Sequence, residues 1–316
     1  MPIKPPRLNH GDTIGIVAPA SAPIDAKAID RSVKVLQRLG FKVKLGKHLR
    51  KKQGFLAGSD EERLGDLMSM FRDPEVKAIL CVRGGYGTAR LLPLLDYEVI
   101  RANPKIFVGY SDITSLHCAF LKKANLVTFH GPMLHSDFCK KDMPDFTLQS
   151  FLNTLTQPYA AGSICKTYHG KISVLRRGKA SGRLLGGNIS LLCTTLGTPY
   201  QPSFKKKILF LEDLDEAPYR FDRMLTHLLN AGVLQQVAGV AVGLNRNCID
   251  PQAKKRKQYW QTVEDVLKER LAPLKVPVVA GLPFGHVPLN ATLPMGVQAE
   301  LDGTNGDLTI LEPAVS

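Results

Sequence analysis

The sequence predicts an α/β protein built around a mostly parallel sheet, and three observations carry that expectation. Short apolar runs such as TIGIVA (Thr13–Ala18) and VKAILCV (Val76–Val82) alternate with segments whose apolar residues recur every three or four positions. VKAILCV is continuous rather than alternating, as a strand covered on both faces requires. Glycine, proline or serine punctuates the chain between such a run and the helix that follows it. With 316 residues, 44% of them hydrophobic, the chain has material for one large core or two medium ones.

TIGIVA reads as a strand ending at Pro19. Ile29, Val33, Leu36 and Leu39 then mark one face of a helix that Gly40 stops. FKVKL (Phe41–Leu45) alternates like a half-buried strand. Leu64, Leu67, Met68 and Phe71 stripe a helix from about Asp60 to Phe71. After the strand Val76–Val82, IFVGY (Ile106–Tyr110) is another strand, feeding a helix with Ile113, Leu116, Phe120 and Leu121. From Asp142 to Lys171 the pattern loosens (DMPDF, TQPYAAGS, CKTYHG) and reads as an interdomain segment. The expected organisation is therefore 1–141, a linker 142–171, and a second domain 172–316. That second part begins with KISVLRRG and ASGRLLGGNISLL. It continues with a strand at Lys205–Asp213 and a helix from about Tyr219 to Asn230. AGVAVGLN is a further strand, followed by a helix from about Tyr259 to Leu271 and short strands at VPVVAG, VQAELDG and DLTILEP.

Lys and Arg number 42 against 28 acids, a formal charge of +14. The charge is dispersed; KKK (Lys205–Lys207) and KKRK (Lys254–Lys257) are short runs. Nucleic acid is therefore not the expected partner, and a small anionic substrate on a basic surface explains the balance. No run of about eighteen apolar residues is present, so no membrane span is expected. The prolines of MPIKPPRLNHGD do not suit a signal peptide, and the expected location is the cytoplasm. Cys81, Cys118, Cys139, Cys165, Cys193 and Cys248 lie far apart without CxxC spacing, and no HExxH occurs. Free thiols, no metal and no cofactor follow.

The joint KIFVGYSDITSLHCAF places Ser111 between a buried-type strand and a helix. Such a serine is either an N-cap or a nucleophile on a sharp turn. If it is a nucleophile, the backbone N–H of Asp112 lies at a helix start, where an oxyanion is stabilised. A serine also needs a base and an orienting acid. His286 stands in the Gly/Pro-rich loop GLPFGHVPLN, and Glu212 ends the apolar run ILFLED. Taken alone, His286 reads as a surface loop residue and Glu212 as a solvated strand end. Gly84, Gly85 and Gly87 follow Val82 but match neither phosphate-loop pattern, so Gly85 reads as a second oxyanion donor facing Ser111.

Taken together, TIGIVAPAS, VRGGYGTARLL, FVGYSDITSLH, FHGPM, LLGGN, LFLEDLDEAPYRFDRML and GLPFGHVPLN resemble the serine LD-carboxypeptidase family. That family comprises the muramoyltetrapeptide carboxypeptidases and their microcin-immunity relatives. The motifs run in order over nearly the whole chain. The resemblance implies a Ser111–Glu212–His286 triad, with Asp213 and Glu216 as competitors for the acid, and backbone donors from Gly85 and Asp112. It also implies an N-terminal domain like class I glutamine amidotransferases, with Glu212 and His286 on the C-terminal domain, and a homodimer. The implied reaction is removal of terminal D-Ala from a murein tetrapeptide in peptidoglycan recycling. The runner-up is microcin-immunity-type cleavage of a peptidyl-nucleotide amide. An anionic muropeptide calls for cations, and Arg83, Arg183, Arg220 and Arg223 sit in or beside the motifs. The microcin-type relatives stack an interdomain-loop aromatic on adenine. Here 142–171 offers Phe146, Phe151, Tyr159 and Tyr168, and the only tryptophan is Trp260.

Overall fold

The structure is a computed structural model that describes residues 1–250 and 261–316. The first part alternates strictly: β1 (Thr13–Val17), α1 (Ala26–Arg38), β2 (Lys42–Leu45), α2 (Asp60–Arg72), β3 (Val76–Cys81), α3 (Tyr97–Ala102), β4 (Ile106–Gly109), α4 (Thr114–Ala119) and β5 (Thr128–His130). Asp25 caps α1 through the Lys27 N–H, and Ser59 with Glu62 forms a capping box on α2. β1 to β5 are parallel and lie side by side in the order 2-1-3-4-5. This is a doubly wound arrangement, whose crevice opens at the carboxyl ends of the strands. β1, β3 and β4 are almost wholly buried, whereas β2 is an edge strand and mostly exposed.

The loosely patterned stretch after residue 141 contains a twelve-residue helix, α5 (Asp145–Thr156), and the short β6 (Gly162–Ser163). Half of the residues α5 buries are threonines (Thr147 and Thr154, beside Phe151 and Leu155), so its apolar stripe is diluted in the sequence. Then come β7 (Ser173–Arg176), β8 (Lys179–Asn188), α6 (Ile189–Thr195), β9 (Lys207–Glu212), α7 (Pro218–Asn230) and β10 (Gly239–Gly243). α8 (Val263–Leu271), β11 (Val278–Leu282), β12 (Leu293–Met295), β13 (Gln298–Asp302) and β14 (Asp307–Ile310) complete the described elements. Tyr259, Trp260 and the KKRK run lie outside the described residues.

The second sheet has eight strands in the order β6-β14-β13-β8-β9-β10-β11-β7, with a parallel centre of β8 to β11. β12 crosses back to pair antiparallel with β5, so the first sheet has six strands. The protein is thus α/β throughout, with helices among two sheets. Among the described residues no helix is long and apolar enough to cross a membrane. All six cysteines are free, and Cys81 and Cys118 are fully buried as small apolar side chains.

Candidate active site

Ser111 directly follows Gly109-Tyr110 at the carboxyl end of β4 and opens a 3₁₀ turn that runs into α4. Its φ is +65°, a left-handed conformation that few non-glycine residues adopt. Neither the 3₁₀ turn nor α4 has a side-chain cap, so the serine is not serving as one. A strained serine at a strand-to-helix joint has the geometry of a nucleophile elbow. His117, on α4, hydrogen-bonds the Gly109 carbonyl through Nε2 at 2.8 Å and braces the strand end.

Two bare residues of the loop after β3 press against this turn. A β-carbon on Gly84 would stand 2.7 Å from the Ser111 β-carbon and 3.2 Å from the Asp112 backbone nitrogen. Gly85 has φ +110°, and a β-carbon there would collide with Ser21. Glycine is required at both positions by close approach, and at Gly85 by its backbone as well.

Glu212 is the last residue of β9 and is wholly buried. His286 donates from Nδ1 to Glu212 Oε2 at 2.6 Å. The loop that carries His286 is held on both sides. The Gly285 N–H donates to Asn290 Oδ1 at 3.1 Å, and the Asn290 N–H donates to the Thr147 hydroxyl at 2.9 Å. The Thr147 hydroxyl itself donates to the Pro288 carbonyl at 2.6 Å, so α5 steadies the histidine loop. The Tyr110 ring meets the His286 ring edge-on at 4.9 Å. Burial opposes charge on both partners. Their mutual attraction prevails, holding the Glu212 carboxyl below and the His286 imidazole above their ordinary values.

The competing acids are engaged elsewhere. Asp213 accepts from Asn188 Nδ2 and from the Ser190 hydroxyl, each at 2.8 Å, and Glu216 lies 3.6 Å from Arg220. Ser111 and His286 line one cavity of about 460 Å³, together with Arg83, Gly84 and Gly85. Of the four arginines singled out in the sequence, only Arg83 lines it. Arg183 instead bonds the Gly296 carbonyl and Glu312, and Arg220 and Arg223 stack on the exposed Tyr219 ring. None of Phe146, Phe151, Tyr159 or Tyr168 lines the cavity; Phe151 is buried against Phe138. The sequence reading did not pick out Asp137, Lys140 and Arg246, which also line it. Arg246 follows the carboxyl end of β10, so the strand-end rule pointed to it.

With this geometry in place, the relatives identify the chain. Residues 14–131 match the LD-carboxypeptidase N-terminal domain and residues 181–301 the LD-carboxypeptidase C-terminal domain. A probable murein peptide carboxypeptidase of Bacillus subtilis is 43% identical over 99% of this chain and 95% of its own length. This protein belongs to the LD-carboxypeptidase family. It is a serine-type hydrolase of that family, related both to murein peptide carboxypeptidases and to microcin-immunity proteins. A solved microcin C7 self-immunity protein in complex with aspartyl sulfamoyl adenosine superposes with a TM-score of 0.89 at 30% identity, covering 100% of both chains. A solved muramoyltetrapeptide carboxypeptidase from Oxalobacter formigenes gives 0.83 at 34% identity, covering 95% of this chain and 99% of its own. The paired Glu212 and His286 and the left-handed Ser111 are the geometry that this chain brings to one cavity.

Proposed function

We propose that this protein hydrolyses an amide in a small anionic peptide through a covalent acyl-Ser111 intermediate. The observation that carries the reading is the 2.6 Å bond from His286 Nδ1 to Glu212, in the cavity that Ser111 also lines. A proton fixed on Nδ1 leaves Nε2 unprotonated and free to act as base. Nε2 takes the hydroxyl proton as Ser111 Oγ attacks the amide carbonyl. The oxyanion receives the backbone N–H groups of Gly85 and Asp112. Protonated His286 then gives its proton to the leaving nitrogen, the amide C–N bond breaks, and water hydrolyses the acyl-enzyme by the same steps.

Two substrate classes fit this chemistry. The solved microcin-immunity relative favours a peptidyl-nucleotide, because its structure, which covers all of this chain, holds an aminoacyl sulfamoyl nucleoside. The Bacillus and Oxalobacter relatives favour a murein peptide, a tetrapeptide in the Oxalobacter case; on that reading the reaction takes place in the cytoplasm and releases terminal D-Ala. The cavity's lack of an aromatic residue from 142–171 supports that second class.

The test is mass spectrometry of wild type and Ser111→Ala with a murein tetrapeptide, the matching pentapeptide and aspartyl sulfamoyl adenosine. Cleavage of one of them, lost in Ser111→Ala by a factor on the order of 10⁴ or more, is expected and identifies the class. Cleavage that survives in Ser111→Ala would remove the acyl-enzyme from the mechanism.

A further inference from the structure

Arg83 is a half-buried cation in the catalytic cavity that no acid neutralises. Its one hydrogen bond among the described residues runs from Nη1 to the Ala22 carbonyl at 3.3 Å, and it forms no salt bridge there. Lys140 and Arg246 line the same cavity but are exposed, where water solvates them. Asp137, the cavity's acid, is buried and already accepts the Met133 N–H at 2.9 Å. Partial burial disfavours the Arg83 charge. Leaving a guanidinium there without a partner is costly unless a ligand supplies the anion.

The position of the guanidinium says where that anion sits. A β-carbon on Gly85 would lie 3.7 Å from Arg83 Nη2, and one on Gly84 would lie 2.7 Å from the Ser111 β-carbon. Arg83 and Ser111 therefore lie against adjacent glycines of one loop and line the same cavity.

We infer that Arg83 anchors the anionic group borne by the leaving half of the scissile amide. This rests on the reaction proposed above. In a peptide the group is the terminal carboxylate; in a peptidyl-nucleotide it is the sulfamoyl or phosphoryl group on the amide nitrogen. A guanidinium donates two parallel N–H bonds to either, with a geometry that an ammonium does not reproduce. Cleavage is then confined to the last amide, because an internal residue presents no anion to Arg83.

Binding in the Ser111→Ala background tests the anchor without turnover. Calorimetry is run with a murein tetrapeptide, its C-terminal amide and aspartyl sulfamoyl adenosine, each against Arg83 and against Arg83→Gln and Arg83→Lys. Hydrogen bonds to charged groups predict that Arg83→Gln weakens the anionic ligand about 10- to 100-fold and leaves the amide unchanged. Arg83→Lys should recover part of the loss, and it replaces Arg83→Gln should that variant melt early. Loss confined to the tetrapeptide identifies a carboxylate anchor; loss confined to the sulfamoyl ligand identifies a nucleotide-linked one. Affinities for both anionic ligands that stay within twofold in the Arg83 variants, or no binding of either, overturn the inference. Arg83-dependent binding without turnover by wild type would leave the anchor standing and remove the proposed reaction instead.

Discussion

Asp112 is bonded twice to Thr88. The Thr88 N–H donates to Asp112 Oδ2 at 2.9 Å, and the Thr88 hydroxyl donates to the Asp112 carbonyl at 2.6 Å. The pair joins the glycine loop after β3 to the serine turn after β4, so the two backbone donors assigned to the oxyanion move as one unit. Asp112 is fully buried; burial pushes its carboxyl up, and the bonds to Thr88 pull it back.

Replacing Asp112 by alanine leaves the Thr88 N–H buried without its acceptor, a loss of about 1–3 kcal/mol. The larger effect falls on turnover, because misplacement of a catalytic group by about 1 Å costs on the order of 10² in rate. Asp112→Ala is expected to lower kcat by about that factor with KM nearly unchanged, and to lower Tm by several degrees. Steady-state kinetics and a thermal melt check both. A folded variant with wild-type kcat would mean that the glycine loop is placed by other contacts.

On the proposed mechanism the His286–Glu212 pair sets the pH dependence. Only unprotonated His286 acts as a base, and Glu212 raises its pKa above the ordinary 6.5. Activity should therefore rise with pH through a midpoint above 6.5. Glu212→Gln removes the attracting charge and leaves the burial that opposes protonation, so the midpoint should fall. It also releases the imidazole tautomer, and kcat should drop by about 10⁴. Stability follows a different window. The raised histidine contributes below 6.5 and is lost as pH climbs through its folded value. The depressed glutamate contributes above 4.5 and is lost as pH falls through its own. The pair thus stabilises the fold most between 4.5 and 6.5, below the pH at which the enzyme works best. A kcat/KM profile of wild type and Glu212→Gln, read beside pH-dependent melts, separates the two. An acidic limb that stays in place in Glu212→Gln would assign it to another group.

Much of this was legible because strands buried on both faces are continuous apolar runs, and the side chains proposed for catalysis interrupt those runs at their ends. Ser111 after IFVGY and Glu212 after ILFL stand out for that reason. α5 was not legible, because Thr147 and Thr154 take two of its four buried positions and its helical period does not show. Thr147 is also the residue that holds the His286 loop, so the part of the site that reading missed is its scaffold. Lys140, beside Lys141, and Arg246 lie in loops and carry no periodicity. Conversely, Arg220 and Arg223 lie inside a recognisable motif, yet α7 turns them onto Tyr219. Motif membership indicated the neighbourhood, and side-chain direction decided the role.

Gly187 places the two halves of the site relative to each other. It lies one residue before Asn188, whose strand partner is Glu212, and its φ is +137°. A β-carbon there would stand 2.6 Å from the hydroxyl oxygen of Thr114, the first residue of α4. That same oxygen accepts the Asn188 N–H at 3.1 Å. Gly187→Ala therefore adds backbone strain of about 1–3 kcal/mol and pushes the end of β8 away from the helix behind Ser111. Glu212 moves with β8, and His286 moves with Glu212. Turnover should fall by about 10² or more while substrate affinity changes little, because the cavity's cations keep their places. Thr114→Ala in the same chain removes the colliding oxygen and methyl group, and should return part of kcat while the backbone strain still lowers Tm. If Gly187→Ala melts early but turns over like wild type, the register between β8 and α4 does not control the approach of His286 to Ser111.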